Sequence, residues 1–191
     1  MKHLLKQVAR AAGIAVAFPF AILAGFGKIA PAFTLFSQFF ALVPGLPGDY
    51  LRVCWYSLTL ESCSLSARIS FGSFCAHRQT TIAGQVYIGS YTILGKCDIG
   101  AHCQIASHVQ VMSGRKQHPR DEQGGIRSSH AESFVRVRIG AHCWIGAGAL
   151  VMADVESHST VGAGSVVIAP VPPYSVAVGN PAKVVRTLQA T

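Results

Sequence analysis

Charge is what this sequence has least of. Only 13% of its residues are Asp, Glu, Lys or Arg, while half are hydrophobic and the mean hydropathy is +0.39. A chain of 191 residues so poor in charge is too apolar for an ordinary small soluble protein, though long enough for one sizeable domain and an appendage. Acid is the scarcer sign, with 8 Asp and Glu against 16 Lys and Arg and a net charge of +8. The ionic surface therefore favours an anionic partner: a phosphate-bearing ligand, an anionic leaflet or a nucleic acid. The six cysteines (Cys54, Cys63, Cys75, Cys97, Cys103 and Cys143) include no C-x-x-C pair, the spacing usual for zinc and redox sites. They read as small buried hydrophobes in a reduced compartment.

Residues 11 to 27, AAGIAVAFPFAILAGFG, lack any charge, and after Lys28 the chain stays uncharged to Gly48. Each half lies near the lower limit of about 17 to 25 residues for a spanning helix, and Pro19 and Pro31 are expected to kink a helix. A hydrophobic helical hairpin or shallow re-entrant pair over residues 1 to 48 is as consistent as two spans. Lys2, Lys6 and Arg10 before the first apolar stretch are expected to keep the N-terminus in the cytoplasm. A cleaved signal peptide fits less well, because the apolar character continues past any cleavage site. Residues 49 to 68 read as a connector.

From residue 69 neither a helical nor a simple strand period is present. Aliphatic residues recur instead every sixth position: Ile82, Ile88, Leu94, then Ile93, Ile99, Ile105, Val111 after a one-residue slip. The rhythm returns with Ile139, Ile145, Val151 and with Val155, Val161, Val167, and Gly or Ala commonly follows. Such a period demands a repeat architecture. Three hexads close a triangular coil of about 18 residues, and stacked coils bury an aliphatic column. The expected fold is an all-β repeat, a parallel β-helix, over residues 69 to 191, interrupted by a polar loop at 113 to 136.

The hexads, with WIGAGA (144 to 149), VGAGSVV (161 to 167) and VGNPAKVVR (178 to 186), resemble the hexapeptide-repeat acyltransferases, which fold as left-handed parallel β-helices. Within that superfamily the pattern is similar to the maltose, galactoside and polysaccharide-biosynthesis O-acetyltransferases, over about residues 66 to 188. The resemblance implies a homotrimer with active sites between neighbouring prisms, acetyl-CoA as co-substrate, and no metal or nucleic acid.

It also implies a role for the polar loop, in which relatives bring a histidine to the cleft, often in a His-Pro step such as His118–Pro119. A sugar hydroxyl is a poor nucleophile, and an imidazole can take its proton as oxygen attacks the thioester. His118 is the expected general base, and Asp121 and Glu122 are both within reach of orienting its other ring nitrogen. Gly146 or Ala147 is the expected amide donor to the oxyanion. By the same resemblance Gly146, Ala147, Ala163 and Gly164 leave room for the pantetheine arm, and Lys183 and Arg186 face the coenzyme phosphates. One departure stands out: relatives often carry Thr-Lys after GAGSVV, whereas Ile168, Ala169 and Pro170 follow here, so one phosphate cation is missing. His77, Arg78 and His108 are expected at the acceptor.

The expected function is acetyl transfer to a hydroxyl of a glycan or lipid-linked saccharide at the cytoplasmic face of a bacterial inner membrane. A serine or amino-sugar acetyltransferase and a non-catalytic membrane-anchored scaffold are the alternatives. A γ-type carbonic anhydrase needs histidines one or two coils apart, and none of the eight here are separated by 18 or 36 residues.

Overall fold

The protein is represented by a computed structural model that describes residues 2–115, 118, 120–128 and 133–188, with only the backbone described at Lys2 and His3. Three helices lead: α1 (Lys2–Leu23), α2 (Ala30–Ala41) and α3 (Gly45–Thr59). Short strands follow, coil by coil. The first coil carries β1 (Ser62–Cys63), β2 (Arg68–Ile69) and β3 (Phe74–Cys75); the second β4 (Thr81–Ile82), β5 (Tyr87–Ile88) and β6 (Ile93–Leu94). The third has β7 (Cys97–Ile99), β8 (Gln104–Ile105) and β9 (Gln110–Val111); the fourth, beyond the loop, β10 (Val137–Ile139), β11 (Trp144–Ile145) and β12 (Leu150–Val151). β13 (Thr160–Val161), β14 (Val166–Val167), β15 (Ser175–Gly179) and β16 (Ala182–Thr187) complete the stack.

Every third strand joins the same sheet, so the coils build three faces. Face A runs β1-β4-β7-β10 and continues through bridges at Val155 and Val171; face B runs from β2 to β15; face C runs β3-β6-β9-β12-β14. All these pairings are parallel, and only β16 returns antiparallel on β15. The expected parallel β-helix is therefore present. The last residue of each strand from β2 to β14 points into a dry interior, for example Ile88, Ile105, Ile145 and Val161. Burying each such side chain contributes about 1.5–3 kcal/mol, far more than two-residue strands gain from pairing alone.

Coil length is not uniform, which accounts for the slip in the hexads. Ser73 and Thr92 occupy adjacent coils 19 residues apart, Ser90 and Ser107 are 17 apart, and Ala141 and Ser157 are 16 apart. Leu94 is consequently the inward residue of β6, whereas Ile93 lies half outside. The small residue after each aliphatic is a stacking requirement. A Cβ on Gly146 would lie 2.5 Å from the Ala163 amide nitrogen of the next coil, closer than any real contact.

The expected two-helix hairpin is a three-helix cap, because the segment read as a connector is mostly α3. Pro19 is accommodated inside α1 rather than ending it, and Pro31 opens the first turn of α2. The α3 helix packs on α1, α2 and the first coil, and Gly48 approaches Val43 so closely that a Cβ would sit 1.9 Å from its carbonyl oxygen. Arg52, buried on α3, holds the cap together. Its guanidinium donates to the carbonyls of Ile69 (2.8 Å), Phe40 (3.1 Å), Ala41 (3.3 Å) and Val43 (2.8 Å) and to Asp49 Oδ1 (2.7 Å). Around it Phe33, Phe40 and Trp55 form an aromatic core, and the Tyr56 hydroxyl accepts the Cys75 amide N–H at 2.9 Å. The cap thus closes the open end of the aliphatic column. The repeat begins at β1, before residue 69, with Cys63 and Cys75 standing at positions that later coils give to Ile, Leu or Val.

Candidate active site

The polar loop leaves the prism at the edge between faces C and A, and its root is firmly fixed. The Lys96 amide donates to Ser113 Oγ at 2.9 Å, the Val135 amide to the Ser113 carbonyl at 3.0 Å, and Lys96 Nζ to the Phe134 carbonyl at 3.3 Å. Arg136 then bridges Asp98 (2.9 Å) and Glu61 (2.6 Å). His77 packs its ring 4.7 Å from that of Phe134, and its partial burial, with Lys96 nearby, holds its pKa below the usual 6.5. His77 and neighbouring Arg78 therefore sit at the loop's foot. Arg78 is half-buried, with a buried Nε that has no hydrogen-bond partner among the described residues.

His118 is exposed on the loop and makes no hydrogen bond among the described residues; Pro119, the second half of its His-Pro step, lies outside them. Asp121 is turned inward on its own backbone. Its Oδ1 accepts the amides of Gln123 (3.0 Å) and Gly125 (2.6 Å), in a turn closed by the Arg120–Ile126 bridge. The carboxylate shapes the loop tip, and no contact joins it to His118 among the described residues.

The residues expected to bind coenzyme lie along a different edge, between faces B and C. Ala147, Ala163 and Gly164 are exposed there, and a Cβ on Gly164 would meet nothing within 4 Å, so this edge is an open ledge. Gly146 is buried, and its amide donates to the Val161 carbonyl at 2.8 Å, so of the two amides weighed for the oxyanion that of Gly146 is already spent in the ladder. The Ala147 amide has no partner among the described residues. His108 belongs to the same edge, exposed and stacked on Tyr91 with ring centroids 5.3 Å apart. Lys183 and Arg186 are exposed on β16, paired with Val178 and Val176. Within one chain, face C thus separates the loop's root from the ledge.

Arg115 is a residue that sequence reasoning missed. Its Nη1 donates to the Ile168 carbonyl at 2.9 Å, so a loop cation stands where the chain itself lacks the Lys after GAGSVV. A contact across 53 positions carries no local signal.

On the edge between faces A and B the structure corrects the histidine arithmetic. His102, His142, His158 and Tyr174 stand at equivalent positions of successive coils, their rings stacked at 4.8 Å and within 8° of parallel. The 16-residue coils and the inserted loop hid this register. Parallel rings do not converge on one point, and among the described residues no group of three or more His, Cys, Asp or Glu is arranged to hold a metal.

No protein-family model matches the chain, and no curated protein matches it. Solved structures do resemble it. A maltose O-acetyltransferase from Clostridium difficile 630 is 22% identical over 88% of this chain and 89% of that one, with a TM-score of 0.65. AntD, an N-acyltransferase from Bacillus cereus solved with dTDP and 3-hydroxybutyryl-CoA, is 20% identical over 64% of this chain and 70% of that one, with a TM-score of 0.52. A point mutant of AntD, solved with dTDP-4-amino-4,6-dideoxyglucose and coenzyme A, is 20% identical over 65% of this chain and 71% of that one, with a TM-score of 0.51. The chain accordingly has the left-handed β-helix fold of acyltransferases.

Proposed function

We propose that the chain is an acetyl-CoA-dependent O-acetyltransferase acting on a sugar hydroxyl of a glycan or lipid-linked saccharide. The observation that supports this reading is that one scaffold, of a fold shared with acyltransferases, carries both an exposed imidazole, His118, on a firmly rooted loop and, on a separate edge, an open small-residue ledge. His118 takes the proton of the acceptor hydroxyl as its oxygen attacks the thioester carbonyl carbon. The Ala147 N–H donates to the oxyanion of the tetrahedral intermediate. Collapse breaks the carbon–sulfur bond, and the imidazolium returns its proton to the thiolate, giving ester and free coenzyme A without an acyl-enzyme. General-base assistance is worth about 10² to 10⁴ in rate, and holding both substrates in one cleft adds an entropic advantage. Arg115, Lys183 and Arg186 face the coenzyme phosphates; Arg78, His77 and His108 face the acceptor. Asp121 acts by shaping the loop that carries His118. The ledge of one copy and the loop of its neighbour form the cleft in a homotrimer.

We infer that the acceptor lies at the cytoplasmic face of a bacterial inner membrane. In support, α1 is long and apolar enough to cross a bilayer by length and composition, over Leu4–Leu23, with only 17% of that window buried. Leu5, Phe18, Leu23, Leu35 and Leu42 are among many large apolar side chains exposed on the cap, a patch too extensive for a monomer in water. Replacing exposed Phe18, Ile22 and Leu23 by Ser is expected to move the protein from the membrane to the soluble fraction. An unchanged distribution removes the anchor.

Thiol release from acetyl-CoA, measured with a panel of sugars and amino sugars, tests the chemistry. Parent protein is expected to turn over with a hydroxyl acceptor and His118→Ala to lose about 10² to 10⁴ in kcat. Equal rates in both proteins overturn the mechanism, and no turnover in either supports a scaffold. An amino-sugar acceptor is the second reading, favoured by the likeness to AntD.

A further inference from the structure

We infer that the N-terminal cap holds an anionic phospholipid, its phosphate on Lys6, Arg10 and Arg68 and an acyl chain along the groove between α1 and α3. A cavity of about 270 Å³ opens between α1, α3 and the first coil, lined on its polar side by Lys6, Arg10, Asp49, Tyr50, Ser66 and Arg68. Asp49 is already engaged by Arg52 (2.7 Å) and Arg68 (2.9 Å), so it does not neutralise the other two cations. Arg10 supplies an independent sign of a missing partner: its Nε is buried and makes no hydrogen bond among the described residues. A buried guanidinium donor left unpaired is costly, and the same side chain lines the cavity that an anion would fill.

The cavity continues into a second space of about 600 Å³ that shares Lys6, Leu46 and Tyr50 with it. Here the walls are Leu5, Ala9, Ala12, Val16, Pro47 and Leu51, nearly all apolar. Small residues on α1 open this groove where α1 faces α3. Cations at one end and a long apolar trough at the other match an amphiphile. A soluble phosphate leaves the trough empty, and a zwitterionic lipid brings a cation of its own against Lys6 and Arg10. The exposed apolar side chains of α1 place the groove where bilayer lipid is the available amphiphile.

The inference rests on membrane association as read above, and fractionation tests that separately. The experiment uses full-length protein in a non-ionic detergent, with phosphatidylglycerol or chain-matched phosphatidylcholine added and bound lipid counted by native mass spectrometry. One phosphatidylglycerol is expected to be retained in preference to phosphatidylcholine, with millimolar inorganic phosphate failing to displace it. Lys6→Gln/Arg10→Gln is expected to weaken retention about tenfold or more, and Ala12→Trp to abolish it by filling the groove. Lys28→Gln/Arg127→Gln, which removes the same charge elsewhere, is expected to retain lipid like the parent. Because Arg10 is partly buried, Lys6→Gln alone, on an exposed side chain, serves as a second variant and is expected to give part of the loss. Equal retention of the two lipids, an equal loss in the Lys28 and Arg127 control, undiminished binding in the Lys6 variants, or displacement by inorganic phosphate overturns the inference. Protein that fractionates with membranes yet fails these tests loses the lipid site and keeps its anchor.

Discussion

Replacing Arg52 by Met should unfold the cap before it disturbs the coils. The β2 strand is the edge of its sheet, so the Ile69 carbonyl has no neighbouring strand to bond and takes its donor from Arg52. The Val43 carbonyl, just beyond the end of α2, takes another. Methionine fills most of the volume but leaves both acceptors without this donor, at about 1–3 kcal/mol for each buried one. It also strips Asp49, whose side chain is 13% exposed, of its buried partner, keeping only the exposed Arg68. Breaking a buried pair from one side costs about 3–5 kcal/mol, and the two accounts overlap rather than add. For a chain of this size each kcal/mol moves Tm by about 2–4 °C, so the expected fall is about 6–20 °C. Thermal unfolding of full-length protein in detergent, followed by Trp55 fluorescence and by far-UV circular dichroism, reads it. Arg52→Lys, which keeps one charge but not the planar fork, should fall between parent and Met. An Arg52→Met protein melting within about 2 °C of the parent would refute the hub.

Further outcomes follow from the same contacts. His77 has a depressed folded-state pKa, from burial and then from Lys96, so its contribution is intact above about pH 6.5 and is lost as pH falls below that value. The drop in Tm between about pH 7.5 and 5.5 should shrink in His77→Phe, and an undiminished drop would contradict it. Burial pushes the thiols of Cys63 and Cys97 up to about 12. Native protein at about pH 8 should therefore react slowly with maleimide until denatured; rapid labelling counted by mass spectrometry would show the column to be open. Arg115→Gln should raise KM for acetyl-CoA by at most about fivefold, the worth of one exposed ion pair, with kcat unchanged. A fall in kcat with KM constant would mean that Arg115 serves loop position instead.

Much of the fold was legible because a six-residue aliphatic rhythm has few physical solutions, and Ile88, Ile105, Ile145 and Val161 occupy the interior positions it demands. Only the opening strand of the first coil, β1, escaped, because Cys63 stands there in place of an aliphatic and breaks the six-residue rhythm even though its thiol was read as a buried hydrophobe. The α3 helix escaped for another reason: in RVCWYSLT every residue but Ser57 and Leu58 is buried, so it has no polar face to mark a helical period. Long-range partners were beyond reach of any local pattern, as Arg115 with Ile168 and Arg136 with Asp98 illustrate. The loop and its histidine were legible as a polar interruption. What Asp121 does there was not, since only the folded turn reveals its Oδ1 occupied by two backbone amides.

The separation of loop and ledge by face C leads to a test of assembly that activity alone does not give. If one cleft draws His118 from one copy and the Ala147–Gly164 ledge from the next, two differently damaged chains can repair each other. His118→Ala removes the base and leaves the ledge; Ala163→Trp blocks the exposed ledge and leaves the base. Each alone should be nearly inactive. Co-assembled at equal amounts in a closed trimer, a cleft receives an intact loop half the time and an intact ledge half the time, so about a quarter of parent activity should return in the unsorted mixture and about a third in trimers that contain both variants. A site contained in a single chain gives a different answer, because every chain in the mixture then carries one lesion and no combination restores it. Refolding or co-expressing the pair, with the mixed species isolated by two affinity tags, distinguishes the cases. Activity that stays at the level of the separate variants would put the loop over its own ledge and remove the need for a neighbour.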